Sequence, residues 1–180
     1  MKSVLISIQP KWVEKIVNGE KTIEVRKTAP KCEVPFKCYI YETKGQYVKF
    51  THGAHTKYGY GRGKVIGWFV CNLVDEYPYD YCDGVDIDDD TILETAIDRE
   101  DINIYAKGKT LYGWHISDLK IYDKPRELSD FYRECEKPCK PNKGKILCIT
   151  TKSLKMNGCN GKIPLTRAPQ SWQYVEEIEK

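Results

Sequence analysis

Between Gly63 and Val74 the chain carries its strongest strand pattern, with Val65, Ile66, Trp68, Phe69, Val70, Leu73 and Val74 crowded around a single Gly67. A run so apolar and β-favouring reads as a strand, and a glycine inside such a run marks a bulge or a tight bend. The neighbouring segments obey the same period of two. Val4, Ile6 and Ile8 alternate with Leu5, Ser7 and Gln9, so residues 3–8 form a strand. Residues 21–27 place Ile23 and Val25 on one face and Thr22, Glu24 and Arg26 on the other. Further strands are expected over Phe36–Glu42, Thr110–Tyr122 and the closing Trp172 segment, with a surface loop or loose hairpin over 43–63.

Helical spacing interrupts this pattern in three places. Pro10 opens a helix carrying Trp12, Val13, Ile16 and Val17 up to the Asn18-Gly19 stop. Asp90 is the expected N-cap of a second helix with Ile92, Leu93, Ala96 and Ile97, and Leu128, Phe131 and Tyr132 predict a short third one after Pro125. Strands in a mostly antiparallel order with helices between them predict an α+β fold: a small, partly closed mixed barrel with helices at its rim. The whole of 1–180 reads as one domain. An insertion is expected over 134–164, loop-like apart from a short strand over 146–150.

At 180 residues a sizeable core needs no disulfide staples. No run of eighteen apolar residues exists, and the N-terminus alternates instead of forming a signal-peptide core. The expectation is a cytoplasmic protein, neither membrane-spanning nor secreted, whose eight cysteines are reduced thiols or metal ligands. The net charge of +3 conceals a division. Eleven acidic residues and one Arg between Glu76 and Asp101 carry −10, which leaves +13 on the rest of the chain. A basic surface favours polyanions by counterion release, although Lys-rich surfaces also serve solubility alone. The acidic run lacks the ordered ligand spacing of a calcium loop and reads as a solvated face.

The segment Asn18-Gly19-Glu20-Lys21-Thr22-Ile23-Glu24-Val25-Arg26, behind a strand and a helix, resembles the N-terminal signature of the ASCH domain family, Gly-x-Lys-Thr-x-Glu-x-Arg. Gly63-Lys64-Val65-Ile66-Gly67 and Tyr112-Gly113-Trp114-His115-Ile116 with Ser117-Asp118-Leu119 are similar to later family motifs. The resemblance spans residues 3–123, and Pro169-Gln170-Ser171-Trp172 resembles phage- and prophage-encoded members. It implies a PUA-like barrel and a basic cleft that binds RNA or a nucleotide. Lys21, Glu24 and Arg26 would project into that cleft, joined by Thr22, Trp114, His115, Ser117, Gln170, Ser171 and Trp172.

These residue types suit that task. A Lys gives a point charge for phosphate, an Arg fork reads phosphate or a base edge, and a carboxylate accepts from an exocyclic amine. An aromatic beside a His can stack a single-stranded base. The plainer readings are an exposed Glu24–Arg26 charge pair, a core Trp114 and a surface His115.

Some ASCH members remove the acetyl group of N4-acetylcytidine with a Lys, a Thr nucleophile and a Glu. Lys21 matches the first, but Glu24 stands where the nucleophile is expected, and a carboxylate does not replace an alkoxide in the same chemistry. Glu76, Glu94 and Glu100 are the acidic candidates for the remaining role. If the chain is an enzyme, Lys21, Glu24 and His115 are the catalytic candidates. A ribonuclease reading adds His52, His55, Lys57 and Arg62. A third reading is a non-catalytic protein-interaction module using the acidic face. No cofactor is required by any of them. Cys135, Cys139, Cys148 and Cys159 would supply four thiolates to a structural zinc, or stand as unconnected thiols.

Overall fold

The computed structural model describes residues 2–52, 55–135, 146–147, 154–155 and 161–178. Strand β1 (Lys2–Ile8) leads into α1 (Pro10–Val17), β2 (Ile23–Arg26), β3 (Phe36–Glu42) and the hairpin of β4 (Gly45–His52) with β5 (His55–Gly61). The long β6 (Lys64–Tyr77) precedes two short strands, β7 (Tyr79–Asp80) and β8 (Gly84–Val85), then α2 (Asp89–Thr95) and α3 (Arg99–Ala106). β9 (Leu111–Arg126) is followed by β10 (Tyr132–Glu134), β11 (Ile146–Leu147), β12 (Leu154–Lys155), β13 (Lys162–Pro164) and β14 (Trp172–Glu176). The architecture is mixed α+β, mostly strands with three α-helices among the described residues. No helix among them is long and apolar enough to cross a membrane.

Six strands form one sheet in the order β14-β1-β3-β6-β9-β2, with β1 and β3 parallel and every other pair antiparallel. The order has two free ends, so the backbone ladder of the described residues does not close into the expected barrel. A side chain bridges the gap instead: Arg26 on the last strand donates through Nη2 to the Ser7 carbonyl of β1 at 2.6 Å. Three register shifts along β6 and β9 supply curvature that carries β2 back towards β1. At Gly67 a side chain would run into the Lys120 carbonyl of β9, which accounts for the glycine in the apolar run.

Both faces of the sheet are covered. On one, Val4, Ile6, Ile8, Phe36, Cys38, Ile40, Phe69 and Trp114 pack with Val13 and Ile16 of α1. On the other, Leu5, Tyr39 and Val65 pack with Phe131, Leu165 and Val175. Full burial of an aliphatic side chain contributes about 1.5–3 kcal/mol, so these clusters supply the main driving force. A third cluster joins Val25 and Leu111 to Ile102 and Ala106 of α3, fixing the helical layer over β2.

Three local expectations change. The second helix is capped by Asp88, whose carboxylate accepts from the Thr91 N–H at 2.8 Å, not by Asp90. It also ends at Thr95, because Ala96 is left-handed at φ 54° and Asp98 begins a separate α3. Only a 3-10 turn, Leu128–Asp130, forms after Pro125. There Phe131 is drawn into the core and β10 finds a ladder partner in β13, which satisfies the backbone that a helix would have used. The expected insertion lies largely outside the described residues, apart from its two ends, where β10 meets β13, and the paired β11 and β12 near the strand expected over 146–150.

Candidate functional site

The approach to β2 is built against the end of α2. The Thr22 N–H donates to the Glu94 carbonyl at 2.9 Å and the Thr22 carbonyl accepts from the Ile116 N–H at 2.8 Å. This fixes Lys21 beneath the helix C-terminus, where its Nζ donates to the Thr95 carbonyl at 2.6 Å and the Ile23 carbonyl at 2.8 Å. A cation at the last helical carbonyls is favourable for the helix dipole. Glu24 Oε2 lies 3.5 Å from the same nitrogen, an ion pair longer than a strong hydrogen bond. Lys21 is 1% exposed. Burial pushes its pKa below the ordinary lysine value, and Glu24 opposes the shift.

All four residues of β2 are buried, so the charged face predicted for this strand is enclosed and not a solvent-exposed pair. Arg26 Nη2 lies 3.0 Å from Glu24 Oε1 and also donates to the Ser7 carbonyl. These bonds use one oxygen of the carboxylate and one nitrogen of the guanidinium. Glu24 Oε2 and Arg26 Nε remain buried with no hydrogen-bond partner. A native fold leaves few such groups, and each needs a physical explanation.

Both residues line a cavity of about 680 Å³. Trp12 of α1 and Tyr105 of α3 contribute aromatic walls, and Lys11, Gln9 and Asp101 add polar groups. Lys11 Nζ stands 4.2 Å from the centre of the Trp12 ring, and Lys27 Nζ 4.7 Å from that of Tyr105. The remaining wall is the segment before β14, including Gln170 and Ser171. Two bonds from Ser7 hold that segment in place, Oγ to the Pro169 carbonyl at 2.7 Å and N–H to the Ser171 carbonyl at 2.9 Å. The cavity thus combines a donor–acceptor floor with aromatic sides and basic groups at two of its edges.

The structure brings together Lys21, Glu24, Arg26, Gln170 and Ser171 but sends the other sequence candidates elsewhere. Trp114 is fully buried in the core, edge-on to Phe36 at 5.7 Å and to Trp172 at 5.8 Å, which matches the plainer reading of it. His115 pairs through Nε2 with Asp75 Oδ2 at 2.7 Å, and Ser117 donates to the Val70 carbonyl at 2.9 Å. Thr22 turns its hydroxyl to Glu94 at 3.0 Å, and Trp172 donates to Thr28 Oγ1 at 3.0 Å. None of these five lines the cavity, nor do Glu76, Glu94 or Glu100.

His52 and His55 are backbone partners at the end of the β4–β5 hairpin, with Lys57 and Arg62 on or just beyond β5. Of the four cysteines considered for zinc, Cys135 is half-buried and the other three, Cys139, Cys148 and Cys159, lie outside the described residues. Among the described residues no three His, Cys, Asp or Glu side chains gather as a metal site. Sequence reasoning missed Trp12, whose helical spacing signals only packing, and Tyr105, which sits just beyond an acidic run read as a solvated face.

The ASCH domain profile matches residues 6–137 of the chain. Among solved structures, the ASCH protein of Zymomonas mobilis is 20% identical with a TM-score of 0.49, over 70% of this chain and 73% of that one. A single-residue variant of the same protein is 18% identical with a TM-score of 0.48, over 71% and 77%. No curated protein matches the chain. The domain match extends over most of the sequence, from within β1 to just past β10, and on that ground the chain belongs to the ASCH domain family.

Proposed function

We propose that this ASCH domain binds RNA or a nucleotide by seating one base in the cavity floored by Glu24 and Arg26. The observation that carries this reading is a pair of buried atoms with no hydrogen bond, Arg26 Nε and Glu24 Oε2, the latter held only by its 3.5 Å ion pair with Lys21, both on residues lining the cavity. A carboxylate oxygen takes an amino or imino N–H, and the guanidinium N–H donates to an adjacent ring nitrogen or carbonyl. Together they complement the edge of a nucleobase. A cavity of about 680 Å³ is of the size that small ligands occupy. Trp12 and Tyr105 supply stacking faces, and Lys11 and Lys27 supply charge for phosphate. The association of ASCH domains with RNA and the +13 outside the acidic segment support the same reading.

Two observations favour binding over hydrolysis. The Lys21 ammonium is occupied by two carbonyls and Glu24, and the Thr22 hydroxyl faces Glu94. The PUA-like assignment belongs to this reading too, supported by the bulged sheet whose edge strand β2 is tied back to β1 by Arg26. So does a reducing, cytoplasmic setting, which suits the free thiols of Cys32, Cys38, Cys71 and Cys82.

The test is calorimetric titration of wild type, Glu24→Gln and Arg26→Gln with nucleoside monophosphates and a short single-stranded RNA, after thermal melts establish that each variant is folded. Wild type is expected to bind, and each variant to lose at least about ten-fold in affinity, one good base contact contributing ~1–3 kcal/mol. Absence of binding to every nucleotide and RNA, or equal binding by folded variants, refutes the cavity. Turnover of N4-acetylcytidine or cleavage of the RNA would replace binding by catalysis.

A further inference from the structure

Of the β4–β5 hairpin only Thr43, at its root, is among the cavity's lining residues, and the rest of it forms a separate surface. Between Thr43 and Lys64 the sequence carries five cations, Lys44, Lys49, Lys57, Arg62 and Lys64, and no carboxylate. One face of the hairpin packs inward. Gly59 lies under the Tyr47 ring, and Gly61 lies so close to Pro10 and the Thr43 carbonyl that a side chain could not fit. On the opposite face the large described side chains are open to solvent. Tyr58 and Tyr60, two apart on one strand, are 48% and 70% exposed, and Val48, the Cα partner of Tyr58, is 55% exposed.

We propose that this face is a second binding surface, on which the bases of a single-stranded RNA stack while the hairpin's cations accompany its phosphates. The proposal rests on the reading of the cavity as a nucleotide site and extends it to the flanking nucleotides. Three features select this occupant. Two phenol rings on one strand face stand roughly 7 Å apart along the chain, a pitch open to successive unstacked bases. The segment itself carries only cations, of which Lys49, Arg62 and Lys64 pair with Glu14, Glu42 and Glu127 outside it, and the positive balance draws a polyanion and not a cationic partner. Continuity with the cavity is direct, because Thr43 lines it and Gly61 rests on Pro10, next to the lining residues Lys11 and Trp12. The ion pairs that Lys49 and Lys64 make with Glu14 and Glu127 are half-exposed, of a kind readily screened and exchanged for phosphate.

The experiment measures two ligands on the same proteins, a labelled twelve-nucleotide single-stranded RNA by anisotropy and a nucleoside monophosphate by calorimetry. Tyr58→Ala with Tyr60→Ala is expected to weaken the RNA at least about ten-fold, base–aromatic stacking contributing that much per base, and to leave the mononucleotide unchanged. Tyr58→Phe with Tyr60→Phe keeps the stacking faces and is expected to retain RNA affinity. RNA affinity untouched by the double Ala variant overturns the hairpin surface while leaving the cavity standing. So does equal competition by polyglutamate, which would reduce the surface to charge alone, and so does tighter binding of duplex RNA or of single-stranded DNA. Failure of the mononucleotide to bind any variant, with RNA binding still dependent on Tyr58 and Tyr60, refutes the cavity and leaves the hairpin.

Discussion

Replacing Lys21 by Met keeps the length of the side chain and removes its charge. The ammonium joins the Thr95 carbonyl ending α2 to two neighbouring groups of β2, the Ile23 carbonyl and the Glu24 carboxylate. Its loss leaves two carbonyls without a donor and half of a buried carboxylate without a counter-ion. Breaking a buried pair costs about 3–5 kcal/mol. Arg26 still holds Glu24 Oε1 at 3.0 Å, so the lower end applies, about 3 kcal/mol out of a total of about 5–15 kcal/mol. For a domain of this size the melting temperature then falls by roughly 6–12 °C.

The double variant Lys21→Met, Glu24→Gln removes the orphaned charge as well and is expected to recover at least about 1 kcal/mol relative to the sum of the single changes. Thermal melts followed by circular dichroism, without ligand, read both effects. There is also a pH signature. Burial, the largest influence, depresses the folded-state pKa of Lys21, so the unfolded chain binds the proton more tightly. The stability owed to this residue therefore rises with pH across the window between its depressed pKa and 10.5, and is smallest below that window. The wild-type advantage over Lys21→Met should grow as pH rises through that range. A Lys21→Met protein that melts within about 2 °C of wild type, with Glu24→Gln strictly additive, refutes the argument that Lys21 is a structural tie.

Two other outcomes follow from local chemistry. The Thr91 hydroxyl and backbone N–H bonded to Asp88 hold its carboxyl below the ordinary 3.8, so its contribution is present above that value and is lost as pH falls through the depressed pKa. Asp88→Ala should lower the melting temperature at neutral pH and flatten its fall in acid; an unchanged acid limb contradicts this. Burial pushes the Cys71 thiol up to about 12 and that of Cys38 well above the usual range, while Cys82 is exposed. Iodoacetamide at pH 8 with peptide mapping should label Cys82 in the folded protein and reach Cys38 and Cys71 only on unfolding, and labelling of Cys71 as fast as Cys82 would contradict their burial.

Periodicity was enough to identify most of the sheet, because strands buried on at least one face must alternate. β1, β3, the start of β6 and the closing β14 lie where the apolar pattern puts them, and Gly67 marks a real irregularity between β6 and β9. The order Lys21, Glu24, Arg26 was equally legible, since the family signature is a local string. Caps and helix ends were less so. Asp88, Asp89 and Asp90 are chemically alike, and only the chain's path selects which one meets Thr91.

What the tertiary structure alone decided is the electrostatic environment of those three residues. From spacing, Glu24 and Arg26 were either an exposed pair or a site. Their enclosure comes from α2 and α3 closing over β2 and from the Pro169–Ser171 segment arriving from the far end of the chain. The aromatic partners are non-local for the same reason: Trp12 and Tyr105 lie far apart in sequence and meet only because both helices pack at one rim. Trp114, beside the signature-like His115, faces the core because strand register assigns its side. A sequence records which groups a chain owns, but burial, and with it whether a charge is satisfied or left for a ligand, depends on contacts between residues that no local pattern relates.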